Sequence, residues 1–230
     1  MKGFQFKIDG DWAHFKKPET NNNPLSHDLI PKTALIGMIG AVLGIEREKM
    51  KSLFPQLSED LLYGVELLKP VKKASCGFTS HTAINPTAIK SPKAFEMLRD
   101  VSYKVCVGLY GERSQSIFDD FQNAILEGYA VYDPYLGIAN CPAELTFIMM
   151  GNGDFKTKGF VIANKHKLKI IDDDFRIGFD KVPTYQNNDF WNLPEKYVNV
   201  IYPECSHVLN VEGDYWEYIH DKEIEQWVLI

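Results

Sequence analysis

An α+β fold is predicted: a βαββαβ core of ferredoxin-like, RRM-like order, with an insertion and a small antiparallel β-rich C-terminal domain. Three observations predict it. The chain opens on Phe4-Gln5-Phe6-Lys7-Ile8, whose apolar–polar alternation is the period of a half-buried strand. The apolar run Ala34–Ile45 exceeds usual strand length and reads as a helix. Strand-like and helix-like segments then follow in the order β-α-β-β-α-β up to residue 150, after which only short strand candidates recur.

The elements follow in order. Asp9-Gly10-Asp11 reads as a turn or bulge, and Trp12-Ala13-His14-Phe15 resumes an extended segment. Residues 18–31, rich in Pro and Asn, read as a loop. Pro31, Lys32 and Thr33 suit a helix start, with Glu46-Arg47-Glu48-Lys49 as a polar continuation. Leu61–Leu68 is a second strand, ended by Lys69-Pro70. Residues 72–99 carry Ser, Thr, His, Asn and several lysines with few apolar anchors, and are expected to project from the core. Val101–Tyr110 alternates as a third strand. Ser116–Glu127 places Ile117, Phe121, Ala124 and Ile125 on one stripe, an amphipathic helix closed by Gly128. Leu145–Met150 makes a fourth strand, and Gly151-Asn152-Gly153-Asp154 a hairpin-like turn. Beyond it lie short strand candidates: Phe160–Ala163, Leu168–Ile171, Phe175–Phe179, Tyr197–Tyr202, His207–Val211, Tyr215–Ile219 and Gln226–Ile230. A domain over 1–150 and a β-rich one over 151–230 are expected.

Composition bounds the function. A net charge of −6 and a pI near 5.5 argue against a chain that coats duplex DNA by bulk electrostatics. A local basic groove on an acidic body remains compatible with RNA. Cys76, Cys106, Cys141 and Cys205 are scattered without a CxxC pair, so free thiols are expected rather than a zinc ribbon or disulfide framework. MKGFQFKIDGDW lacks an apolar h-region, and no apolar run approaches the roughly 20 residues of a spanning helix. A cytoplasmic location without membrane contact is expected.

Gly37, Gly40 and Gly44 fall at i, i+3 and i+7 of the first helix, hence on one face. Each costs about 1 kcal/mol relative to Ala in a helix interior. Tight packing on the sheet offsets that, or else close approach of a partner or a phosphate chain. Lys32 and Thr33, at the helix start, suit an anion. Lys16 and Lys17 end the first strand, and Lys69, Lys72 and Lys73 flank the insertion. The insertion holds Ser75, Thr79, Ser80, His81, Thr82 and Asn85, residue types that contact phosphate, 2′-OH and splayed bases, with Phe78 available to stack. Arg113 is placed to clamp either a phosphate or a carboxylate. The candidate RNA contacts are therefore Lys16, Lys17, Lys32, Thr33, Gly37, Gly40, Lys72, Lys73, Ser80, His81, Asn85 and Arg113; a solvated surface charge is the alternative for any single lysine. Lys156, Lys158, Lys165, Lys167 and Lys169 read as solvated faces, and Asp172-Asp173-Asp174 as an exposed turn. No HxH, HExxH or GxxxxGK[ST] pattern occurs, so neither a metal nor a nucleotide cofactor is expected.

The pair FKIDGDWAHFK (Phe6–Lys16) and PKTALIGMIGAVLGI (Pro31–Ile45) resembles the opening of a CRISPR-associated family. That family is the Cascade subunit that caps the 5′ handle of CRISPR RNA (crRNA), the fifth of the numbered Cas families, here in a form similar to type I-B. DPYLGIANCPAEL (Asp133–Leu145) is similar to the family's Leu-Gly segment before the last core strand. The resemblance implies a ferredoxin-like N-terminal domain with a thumb between its second and third strands, and a smaller C-terminal β-domain. It also implies contacts with the crRNA 5′ handle, with the first Cascade backbone subunit, and with the large subunit at the PAM end of target DNA. Arginine would be expected at position 32; Lys32 supplies a point charge without the bidentate fork.

Cleavage of RNA without metal needs a base for the 2′-OH, an acid for the leaving oxygen and a cation for the developing charge. Type I-C relatives that process crRNA are thought to use Tyr, Lys and His with the last two adjacent. The adjacent pair here, Lys165-His166, lies in the C-terminal β region, and Lys104 has no neighbouring histidine. His14, His81 and Lys104 remain as fallback catalytic candidates. The expectation is a non-catalytic assembly subunit; a metal-independent endoribonuclease and a protein–protein scaffold without RNA contact are the alternatives.

Overall fold

The alternation at the N-terminus runs further than the turn-like Asp9-Gly10-Asp11 suggested. In the computed structural model, which describes residues 1–80, 91–163, 177–185, 193–203 and 209–230, β1 spans Lys2–Ala13 without a break. The reason is a long partner: β1 stays paired through Asp9↔Ser102, Gly10↔Val101 and Trp12↔Arg99. Phe4, Phe6 and Ile8 are fully buried on one face of it.

Two short strands, β2 (Phe15–Lys16) and β3 (Ser26–His27), close the loop that follows. Helix α1 spans Lys32–Leu43 and opens without a side-chain cap; the Tyr63 hydroxyl donates to the Ile30 carbonyl there at 3.0 Å. Gly44, at φ +66°, ends it in the left-handed conformation that favours glycine. Glu46–Lys49 therefore does not continue α1. A separate helix, α2 (Arg47–Asp60), begins there and buries its own stripe of Met50, Phe54 and Leu57.

Strand β4 (Leu61–Leu67) follows. The insertion is regular rather than irregular: β5 (Lys72–Ser80) pairs with the first half of β6 (Ser91–Leu109), from Lys72↔Arg99 to Ser80↔Ser91. The expected third strand is the second half of β6. Helix α3 (Gln115–Glu127) packs Phe118 and Phe121 edge-on against Phe4, at 5.4 and 5.6 Å between ring centroids. Strand β7 (Glu144–Ala163) runs straight through Gly151–Asp154, where a turn was expected, and through the expected domain boundary. Its glycines serve close approach: a Cβ on Gly153 would lie 2.3 Å from both the Glu217 carbonyl oxygen and Trp216 Nε1. Strands β8 (Ile177–Tyr185), β9 (Lys196–Pro203), β10 (Leu209–His220) and β11 (Glu223–Trp227) complete the chain. The candidate strand Leu168–Ile171 and parts of Phe175–Phe179 and His207–Val211 lie outside the described residues.

The architecture is mixed α and β, with few helices and a mainly antiparallel sheet in the order β11-β10-β7-β1-β6-β4, β5 adding to β6. The three helices cover one face over the main core, and the β8–β9 hairpin packs on α1 and α2, burying Val182, Val200 and Tyr202. The other face is covered too. Trp216, Tyr218 and Trp227 form a second buried cluster with Cys106, and Gln5 donates to Glu225 at 2.7 Å. Residue Ile230 then hydrogen-bonds to both backbone groups of Tyr63, bringing the end of the chain back to β4. Cys106 and Cys141 are buried free thiols and Cys76 an exposed one; Cys205 lies outside the described residues. Among the described residues no helix is long and apolar enough to cross a membrane.

Candidate nucleic-acid interface

The covered sheet moves any RNA path away from the strand face that RRM-like modules use. An opening lined by several of the predicted residues lies beside α1. Thr33, Ala34, Gly37 and Ala41 fall on one stripe of that helix, and β2 brings Lys16 and the preceding His14 alongside. Tyr135, Gly137 and Ile138 supply a second wall, and Pro183, Leu193 and Pro194 the third. Together they enclose a cleft of about 560 Å³.

Backbone bonds fix the walls. His14 N–H donates to the Leu136 carbonyl at 3.0 Å, while Val131 and Tyr132 N–H groups donate to Val42 and Ala41 of α1 at 3.0 and 3.1 Å. At the floor, a Cβ on Gly37 would meet nothing within 4 Å, so a ligand reaches helix backbone there. Lys16 is exposed, Tyr135 is half exposed, and among the described residues no carboxylate lines the cleft. This chemistry, one cation, hydroxyl groups, an aromatic ring and bare backbone, suits a phosphodiester strand with a splayed base.

His14 lines a wall of the cleft with its side chain buried. Its Nδ1–H donates to the Glu96 carbonyl at 2.8 Å, its ring stacks on Phe95 at 4.9 Å, and its Nε2 is buried without a partner. Lys104 is held by Glu225 at 2.7 Å and lies over the Trp227 ring. His81 lies outside the described residues.

Other predicted contacts are dispersed. Gly40 faces inward, where a Cβ would lie 3.0 Å from Met50, so the three glycines do not form one contact face. Lys32 is buried on the opposite flank of the α1 start from Thr33. Lys17 pairs with Asp180 at 3.0 Å, and His27 Nδ1–H donates to the same carboxylate at 3.0 Å. Burial pushes Asp180 up, but His27 and Lys17 outweigh it and hold the carboxyl well below the usual range. Lys73 bridges Asp28 at 2.8 Å and Glu96 at 3.1 Å, and the Tyr202 hydroxyl donates to Asp28. Lys72 meets Asp100 at 3.4 Å, and Arg113 clamps Asp60 and Glu59, the carboxylate alternative. Ser80 belongs to β5, and Asn85 lies outside the described residues.

Sequence reasoning missed Tyr135, Ala34 and Ala41. A signal existed in Tyr129-Ala130-Val131-Tyr132-Asp133-Pro134-Tyr135, three tyrosines in a segment of neither helical nor strand period. All three are exposed.

Residues 3–152 match the profile of a family described as CRISPR-associated protein (Cas_Cas5). No curated protein matches the chain in sequence. Among solved structures, a chain of a CRISPR RNA-guided surveillance complex superposes with a TM-score of 0.52 at 14% identity, covering 91% of each chain. A CRISPR protein from Archaeoglobus fulgidus superposes at 0.54 with 12% identity, over 98% of this chain and 99% of that one. A chain of the Type III-B Cmr-beta complex, bound to cognate target RNA and AMPPnP, reaches 0.50 at 8% identity, over 90% and 86%. At these identities the likeness is one of fold.

Proposed function

The chain belongs to the CRISPR-associated Cas_Cas5 family, and from that membership we propose that it is a non-catalytic subunit of a Cascade-type effector complex that binds the crRNA 5′ handle. The observation that carries the RNA-binding part is the cleft itself: Lys16, Thr33, Tyr135 and the bare backbone at Gly37 converge there, with no carboxylate among the described residues that line it. The order β7-β1-β6-β4, with helices in both crossovers, supports reading these strands as a ferredoxin-like unit. The β5–β6 hairpin is then its thumb. The partners proposed are the first backbone subunit, the large subunit and, through it, target DNA near the PAM.

The inaccessible Nε2 of His14 and the ion pair of Lys104 favour binding over cleavage. The test uses the reconstituted complex. Lys16→Glu combined with Gly37→Leu is expected to weaken retention of labelled crRNA about tenfold or more, while the complex without RNA keeps its composition. Unchanged retention would leave a scaffold without RNA contact. Clean cutting of repeat RNA in EDTA, lost on His14→Ala or His81→Ala, would replace the binding role with nuclease activity.

A further inference from the structure

The flank of α1 that faces away from the cleft holds a buried ammonium group. Lys32 is 4% exposed. Among the described residues its Nζ has neither a carboxylate at ion-pair distance nor a hydrogen-bond partner. It lines a pocket of about 310 Å³ together with Ser58, Thr184, Tyr185 and Lys196. Ser58 Oγ is buried and has no partner. Lys196 is exposed, its Nζ 4.5 Å from the centroid of the Tyr185 ring. Among the described residues at the rim, the Glu59 side-chain carboxylate is held by Arg113 Nη2 at 3.1 Å.

Burying an ammonium is unfavourable unless a counter-charge meets it, and a second cation nearby adds to the penalty. Both effects act here: burial first and then the charge of Lys196 push Lys32 down to about 8. A buried hydroxyl without a partner is a second debt at the same place. A tetrahedral oxyanion settles both, because it neutralises two ammonium groups while accepting bonds from hydroxyls on opposite walls. We propose that Lys32, Lys196, Ser58 and Thr184 form an oxyanion site that takes one phosphate group. The four residues come from α1, β9, α2 and β8, so the occupant bridges the helical layer and the β8–β9 hairpin. None of them lines the cleft, and the site stands independently of the reading of that cleft.

The phosphate is either a backbone phosphodiester of RNA or a free oxyanion, and one experiment separates them. The intact chain, labelled with ¹³C at lysine Cε, is titrated by NMR in chloride, the Lys32 signal being assigned by its loss in Lys32→Met. Inorganic phosphate is then added, and in a second arm a single-stranded RNA. Lys32 is expected to titrate near 8 in chloride and to rise by about one to three pH units, saturably, when the anion binds. A rise with inorganic phosphate marks a free oxyanion site; a rise with RNA alone marks a backbone phosphate site. No saturable movement in either arm overturns the proposal. Lys32→Met also reports on the fold. It is expected to melt at or above the parent's temperature, whereas a fall of several degrees would mean that the ammonium already has a partner and would equally overturn it.

Discussion

At the scale of single residues, Lys32 makes stability depend on pH in an unusual direction. Its folded value of about 8 lies below the ordinary 10.5. Between those values the unfolded chain holds a proton that the folded chain has released, so stability rises with pH across the window. The full difference corresponds to about 3 kcal/mol. Urea midpoints measured from about pH 7.5 to 10 should therefore climb more steeply for the parent than for Lys32→Met. Asp180 is shifted in the same direction, so stability again rises with pH through its window, but here the charged form is the one that the fold stabilises. Its depressed folded value means that its contribution is complete above the ordinary carboxylate range and is lost only as pH falls through and below it. Asp180→Asn leaves Lys17 and the buried His27 without their shared anion, and a loss of about 3 kcal/mol in urea at neutral pH is expected. Gly37 is the simplest case: Gly37→Ala meets open space and should stabilise the chain by about 1 kcal/mol, read as a higher melting temperature. The sequence spacing showed that these glycines need a reason. It did not show that Gly37 opens on a cleft while Gly40 packs on Met50, because that depends on where α2 lies.

At the scale of elements, the features readable in the sequence were those with a period of their own. β1, α3 and β4 follow from alternation or a stripe, and Gly128 ends α3 as Gly44 ends α1. α2 was hidden by Pro55, which punctuates a segment whose Met50, Phe54 and Leu57 spacing is otherwise helical. The β5–β6 hairpin was hidden by its polarity, since a projecting ladder has little core to bury. Gly151–Asp154 misled for a different reason. Its glycines make room for Trp216 and the β10 backbone, contacts far away in sequence. Gly153→Ala tests this assignment. A residue in a turn would tolerate the methyl group, whereas one pressed against β10 should lose about 1–3 kcal/mol in chemical denaturation.

At the scale of the whole molecule, the candidate site was legible in residue type but not in arrangement. Lys17, Lys73 and Arg113 are basic residues beside loops, yet each is spent on a carboxylate that only the fold brings near. With these cations committed and the second sheet face covered by Trp216, Tyr218 and Trp227, the cleft exposes Lys16 on a body of net charge −6. Few phosphates can then be neutralised by the chain alone, and an affinity built on few ion pairs depends weakly on salt. Each phosphate contact with a single strand contributes about −0.7 to the slope of log Kobs against log salt. For the isolated chain and a 5′-handle RNA, fluorescence anisotropy between about 50 and 200 mM salt should give weak binding with a slope near −1. The reconstituted complex should bind far more tightly and with a steeper slope, its partner subunits adding the missing cations. Tight binding by the isolated chain, with a slope steeper than about −3, would instead require a basic surface that Lys16 and its neighbours do not provide.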